Sequence, residues 1–255
     1  MDVRGKAFIV TGAASGLGAA TARALTTHGA RVLVADRDEG RGLATQEALG
    51  DGAVFRPVDV TDETGVEGAV SDAVEAFGRL DGVVCCAGIV VARRTVGRDG
   101  PHPLDLFRRV IEVNLIGTWN VVRLAAPVIA SNQPGADGER GVMVLTSSVA
   151  AFEGQVGQAA YAASKGGVAA LTLPLAREFA RDGIRVMAIA PGIFDTPMMG
   201  ELPEAARASL GTQVPFPSRL GRPEEYAELV LAIVGNRMLN GSVIRLDGAV
   251  RMAPR

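Results

Sequence analysis

Seven short runs of apolar and β-branched residues recur along this 255-residue chain, and stretches with helical spacing of apolar positions lie between them. AFIVTG (7–12), RVLVAD (31–36), AVFRPVDV (53–60), GVVCCAG (82–88), GVMVLTSS (141–148), IRVMAIAP (184–191) and SVIRLDG (242–248) read as strands. The first six are apolar at odd and even positions alike, so both of their faces need cover, as in a parallel sheet between two layers of helices. Helical periodicity falls near 16–28, 39–49, 62–77, 103–131, 157–181 and 223–235. Alternation of this kind, with right-handed crossovers, predicts an α/β fold: a Rossmann-type, doubly wound parallel sheet of seven strands. No Pro/Gly/Ser-rich linker divides the chain, so a single domain over 1–255 is expected. Two stretches break the rhythm. NQPGADGERG (132–141) is polar and glycine-rich, which predicts an exposed loop. Residues 192–222 run longer than a plain connection needs, which predicts a substrate-loop segment.

Composition narrows the partners. The chain is 48% hydrophobic yet only 4% aromatic, which favours close packing of Ala-, Val- and Gly-rich helices on a sheet. A net charge of −2 without a basic block argues against nucleic acid, whose phosphates need clustered Lys or Arg. No run approaches the roughly 20 uninterrupted apolar residues of a membrane span. The start, MDVRGKAFIV, lacks the pattern of a secretory leader. A cytoplasmic protein with no membrane partner is the expectation. Cys85 and Cys86 are adjacent, a spacing that suits neither a relaxed disulfide nor a metal chelate. Buried, reduced thiols and no metal site are expected.

The chemistry begins at TGAASGLG (11–18), between the first strand and the first helix. Gly12 permits the tight turn, Gly16 lets backbone approach a pyrophosphate, and Gly18 lets the helix pack against the sheet. Ser15 and Leu17 offer N–H groups there, beside the positive end of the helix dipole. Asp36 closes the second strand, 18 residues past Gly18, where an acid accepts ribose hydroxyls. A carboxylate there repels a 2′-phosphate, so NAD(H) is preferred over NADP(H), although the adjacent Arg37 offsets part of the repulsion. Asp59 and Val60 end the third run, within reach of an adenine.

Lysine scarcity marks the second locus. Of 26 basic side chains only Lys6 and Lys165 are lysines, and Tyr161 and Tyr226 are the only tyrosines. Tyr161 and Lys165 stand at i and i+4 on one helical face. An ammonium beside a phenol stabilises phenolate and draws its pKa down from about 10. Ser148 ends the fifth run, at the sheet edge where such folds bind ligands, and its hydroxyl can donate to a carbonyl oxygen gaining charge. Retaining a lysine at 165 in an arginine-rich chain points to a need for a compact ammonium.

TGAASGLG, YAASK (161–165) and their order along residues 6–252 resemble the short-chain dehydrogenases/reductases. The resemblance implies that Asn114, in VNLIGTW, kinks a helix and holds a water for proton relay beside the lysine. It also implies cofactor contacts at Pro191, Gly192, Phe194 and Thr196, in PGIFDTPM, and at Cys86, Ala87 and Gly88, the Cys86 contact being through backbone. Cys85 stands where the family has an asparagine. SVAAFEGQVGQAAYAASKGG, QVPFPSRLG and NGSVIRLDGAVRM narrow the likeness to tetrameric, NAD-dependent members that oxidise 3-hydroxyacyl-CoA and some alcohols and steroids.

An oxidoreductase that interconverts a 3-hydroxyacyl-CoA, plain or 2-methyl-branched, and its 3-oxoacyl-CoA is therefore expected. Tyr161 is its base, Ser148 holds the substrate oxygen, and Gln155 is a candidate polar contact to substrate. A homotetramer built through the two long helices is implied by the resemblance. Two rivals stand beside this reading. A 3-oxoacyl-[acyl-carrier-protein] reductase would meet its acidic carrier through Arg93, Arg94, Arg98, Arg108 and Arg109. A dinucleotide-binding scaffold without turnover would have no use for Lys165.

Overall fold

Side by side, the apolar runs form one sheet in a computed structural model that describes residues 1–98, 100–199 and 204–254. The strands are β1 (Ala7–Thr11), β2 (Arg31–Asp36), β3 (Ala53–Pro57), β4 (Gly82–Cys85), β5 (Gly141–Thr146), β6 (Ile184–Pro191) and β7 (Val243–Leu246). Their order is β3-β2-β1-β4-β5-β6-β7 and every neighbouring pair is parallel. The helices are α1 (Gly16–Thr27), α2 (Glu39–Leu49), α3 (Glu63–Phe77), α4 (Leu104–Ile111), α5 (Gly117–Ala130), α6 (Ala159–Glu178), α7 (Glu204–Thr212) and α8 (Pro223–Gly235).

The continuous apolar strands are explained by two cores. Ile9, Leu33, Val83 and Leu145 face Val70 of α3, Val122 of α5 and Val168 of α6. Their strand neighbours Phe8, Val32, Val84 and Val144 face Leu25 of α1 and Val230 of α8. Period-two alternation thus sends successive side chains into opposite layers. Because strand order reverses on either side of β1, a crevice opens past the carboxyl ends of β1 and β4, where doubly wound sheets bind ligands.

Five strands stop short of their sequence patterns, β1 by the single residue Gly12. β3 ends at Pro57, β4 at Cys85, β5 at Thr146 and β7 at Leu246, so Asp59, Cys86 and Ser148 lie on loops beyond the sheet edge. The long helix over 103–131 is also divided, by a π turn at Glu112–Ile116 that carries Asn114. Helix-period pattern alone does not reveal such a turn. Leu104–Ala130 is long and apolar enough to cross a membrane by length and composition, although Asp105, Arg108, Arg109, Glu112 and Arg123 interrupt it. Over half of that window is buried against the rest of the fold, as in the core helix of a sheet protein.

The loop at 132–141 is not simply exposed. Its Glu139 side chain is 8% exposed and pairs with Arg185 at 2.8 Å and the Met1 amine at 3.1 Å, while Gly141 already belongs to β5. Within 192–222, α7 forms where no helix was expected, since its apolar positions are few. Residues 200–203 of that segment lie outside the described residues. A two-residue hairpin, Val96–Gly97 against Gly100–Pro101, also escaped the sequence pattern.

Candidate active site

The β1–α1 turn packs as its glycines require. Gly12 has φ 65°, and a Cβ there would sit 2.8 Å from the Ala87 nitrogen. At Gly18 a Cβ would lie 2.2 Å from the Gly12 carbonyl oxygen, so helix and turn touch backbone to backbone. Ser15 caps α1 without a side-chain hydrogen bond, and the first turn holds no acid. Free N–H groups and the positive helix end therefore face the crevice, a cradle suited to a pyrophosphate.

Asp36 is held in place beside it, its carboxylate accepting N–H bonds from Ala14 and Asp38, both at 3.0 Å. Asp59 accepts from the Thr61 N–H at 3.0 Å and hydroxyl at 2.7 Å. Burial pushes the Asp59 carboxyl up, but the Thr61 bonds with Arg109 and Arg37 outweigh it, so its pKa falls below the ordinary value. The net result is an ionised carboxylate faced by two guanidinium groups.

A cavity of about 500 Å³ runs from this cradle to the carboxyl end of β5. Every residue expected at the site borders it, from Gly12 to Thr196, with the exception of Asn114. Phe194, though on the border, is 7% exposed and belongs to the core on the α1 and α8 side.

At the far end, Ser148 accepts the Ala150 N–H at 3.1 Å and its hydroxyl faces the Tyr161 phenol. Lys165, 3% exposed, donates from Nζ to the Thr146 carbonyl at 2.7 Å. The Ser147 hydroxyl donates to the Lys165 carbonyl at 2.8 Å, so β5 and α6 are joined at this point in both directions. Burial lowers the lysine pKa to about 8, with Cys86 and Cys85 opposing. Burial also raises the Tyr161 phenol, and the Ser148 hydroxyl opposes that rise. Nζ donates to Thr146 and stands 6.0 Å from the Tyr161 ring centre, while the Ser148 hydroxyl faces the phenol directly.

Asn114, on the π turn, lies behind the cavity wall. It is fully buried, exchanges bonds with the Ile89 backbone at 2.8 and 2.9 Å, and donates to the Ser164 hydroxyl at 3.0 Å. Its carbonyl accepts the Thr118 hydroxyl at 2.8 Å. Asn114 therefore braces β4's exit and the residue before Lys165 instead of facing the cavity. Gln155 borders the cavity, but its amide donates to the Ala253 carbonyl at 2.9 Å and accepts from Gln158 at 3.3 Å.

Sequence reasoning missed Tyr226, which is fully buried on α8. Its hydroxyl shares a 2.7 Å hydrogen bond with the Thr146 hydroxyl and receives the Cys86 thiol at 3.8 Å. The thiol thus points to Tyr226, leaving Cys86 to meet the cavity through its backbone. The rarity of tyrosine was the available signal for Tyr226, but nothing in the local pattern tied α8 to β5. Cys85 is buried, and burial raises its thiol well above the ordinary value.

Comparison with known proteins agrees with this geometry. The short chain dehydrogenase family matches residues 6–207. The chain is 54% identical over 255 residues to the 3-hydroxyacyl-CoA dehydrogenase type-2 of Bos taurus, covering 99% of this chain and 98% of that one. The crystal structure of 3-hydroxyacyl-CoA dehydrogenase type-2 from Mycobacterium avium matches with a TM-score of 0.93 and 43% identity, covering 100% of both chains. A 3-ketoacyl-(acyl-carrier-protein) reductase from Brucella melitensis, complexed with NADH, matches with a TM-score of 0.87 and 29% identity, covering 98% of this chain and 100% of that one.

Proposed function

The chain belongs to the short-chain dehydrogenase family, and from that premise we propose that it interconverts 3-hydroxyacyl-CoA, including 2-methyl-branched forms, with 3-oxoacyl-CoA using NAD(H). The observation that carries this reading is the convergence of Ser148, Tyr161 and Lys165 at one end of a cavity whose other end is a glycine cradle guarded by Asp36.

The nicotinamide dinucleotide supplies hydride acceptance and donation. Gly12, Gly16 and the uncapped N–H groups of α1 would hold its pyrophosphate, and Asp36 would accept from its ribose hydroxyls. The Asp36 carboxylate disfavours a 2′-phosphate, which supports NAD(H) over NADP(H). In the oxidising direction Tyr161 takes the substrate hydroxyl proton while Ser148 donates to the same oxygen and stabilises its developing charge. Lys165, fixed by Thr146, keeps a positive charge below the phenol and offers its remaining protons to ribose. Asn114 acts from behind by fixing Ser164 and Ile89.

A second reading, reduction of 3-oxoacyl groups on an acyl carrier protein, is favoured by one observation. Arg93, Arg94, Arg98 and Arg108 form no salt bridge among the described residues. Kinetic assays with NAD and NADP on thioesters of CoA and of carrier protein separate the two. NAD with CoA thioesters supports the first reading, and a strong NADPH preference with carrier-protein thioesters supports the second. Tyr161→Phe is expected to lower kcat by roughly two or more orders of magnitude while cofactor affinity stays unchanged. Near-normal turnover in that variant overturns the mechanism.

Assembly as a homotetramer is part of the proposal. It is supported by Ile116, Trp119 and Leu173, apolar side chains left 44%, 39% and 44% exposed on the π turn, α5 and α6. Action in the cytoplasm, as the sequence suggests, completes the reading.

A further inference from the structure

We propose that the segment following β7, residues 250–254, is the outer wall of the substrate end of the cavity, and that Met252 is a specificity-determining residue for the acyl chain. The acyl identity of the substrate rests on the function proposed above; the wall itself rests on the following contacts.

Beyond β7 the backbone turns sharply. Asp247 accepts the Ala249 N–H at 3.0 Å, Ala249 takes φ 68°, and Val250, 1% exposed, anchors the turn in the fold. The next residues then run against the loop that connects Ser148 to α6. The Met252 N–H donates to Glu153 at 3.1 Å, Gln155 donates to the Ala253 carbonyl at 2.9 Å, and the Val156 N–H donates to the Pro254 carbonyl at 3.0 Å.

The anchor on the loop side is itself held by charge. Arg245 of β7 reaches Glu153 at 2.9 Å and Asp247 at 2.7 Å, and Arg251 reaches the same two acids at 3.3 and 3.2 Å. Arg245 also lies over the Phe152 ring, 5.6 Å from its centre. Hydrogen bonds from Arg245 hold the Glu153 carboxyl below its ordinary range. The two acids and two arginines lock the end of β7 to the loop before the wall segment begins.

This placement decides which end of the cavity the wall closes. Glu153–Val156 sits between Ser148 and Tyr161, whereas the cradle for the dinucleotide lies across the sheet on β1 and α1. Met252 borders the cavity together with Val149, Gln155 and Leu210. Gln155 is held by Ala253 and Gln158, and Val149, Leu210 and Met252 supply the apolar surface around it. An unbranched thioether fills such a site adaptably, which suits an aliphatic chain of variable length. Ala253 and Pro254 act as positioning residues, through Gln155 and Val156.

The test uses the full chain, Met252→Ala, Met252→Phe and a form lacking residues 253–255. Each is assayed with NAD and a series of short, medium, long and 2-methyl-branched 3-hydroxyacyl-CoA. Met252→Ala is expected to shift kcat/KM toward long and branched chains by about tenfold relative to short ones, and Met252→Phe to shift it the other way. The KM for NAD stays unchanged in both. The shortened form is expected to raise the thioester KM at near-constant kcat and to speed hydrogen exchange at the Val156 amide. An unchanged chain-length profile in both Met252 variants overturns the inference, as does identical Val156 exchange with and without residues 253–255. If the unaltered protein oxidises no thioester, the substrate reading fails by itself. The wall is then read from the same variants on secondary alcohols of increasing length, and inertness toward those as well overturns both.

Discussion

Lys165 meets two opposed demands. Its charge is needed beside a phenol and a ribose, yet burial draws its pKa from 10.5 to about 8. Between those values the unfolded chain binds the proton more fully than the folded one, so Lys165 makes stability rise with pH across about 8 to 10.5. Below about 8 the folded state bears the whole desolvation penalty. Denaturant unfolding of the native protein and of Lys165→Met at several pH values in that window should show this rise in the first and lack it in the second. Lys165→Arg is expected to lose at least an order of magnitude in kcat, because a planar guanidinium cannot replace a compact ammonium against the Thr146 carbonyl. Tyr226 contributes at the same scale from the opposite layer. Tyr226→Phe removes the partner of the buried Thr146 hydroxyl and is expected to cost about 1–2 kcal/mol in thermal or chemical unfolding. An unchanged midpoint would show that Cys86 satisfies Thr146 unaided.

Elements deliver these residues through their ends and their interruptions. The π turn at Glu112–Ile116 turns Asn114 toward Ile89 and Ser164, linking three elements behind the site. A regular helix over the same residues would change the rotation between α4 and α5. The β1–α1 turn is equally dependent on close approach. Gly18→Ala places a methyl 2.2 Å from a backbone oxygen that has no side-chain freedom to yield, so the helix start must shift. We expect a loss of NADH affinity on the order of tenfold or more, equivalent to roughly 1.4 kcal/mol. Fluorescence titration measures it, while circular dichroism should show the helix content retained. The glycine turn, Asp36 and the Tyr161–Lys165 pair were legible in the sequence because each depends on local spacing. The brace role of Asn114 and the occupied amide of Gln155 were not, because each depends on which backbone lies opposite.

For the whole molecule, the two-layer core explains why the sheet pattern was so plain, and the exposed apolar side chains bear on assembly. If Trp119 and Leu173 are covered in an oligomer, Trp119→Glu and Leu173→Glu should lower the assembled fraction in light scattering while leaving the monomer folded. Unchanged mass would remove those helices from the interface. By itself the sequence determined the strand and helix succession, the glycine cradle, the acid after β2 and the Ser148–Tyr161–Lys165 set. Those features follow from periodicity and from short-range spacing along the backbone, which a linear string preserves. Tertiary structure alone decided that Lys165 is fixed by Thr146, that Tyr226 closes the network from α8, and that residues 252–254 run against the loop before α6. Such contacts join separate elements, 19 positions apart for Lys165 and Thr146 and 80 for Thr146 and Tyr226, and nothing but the fold brings their atoms within hydrogen-bonding reach.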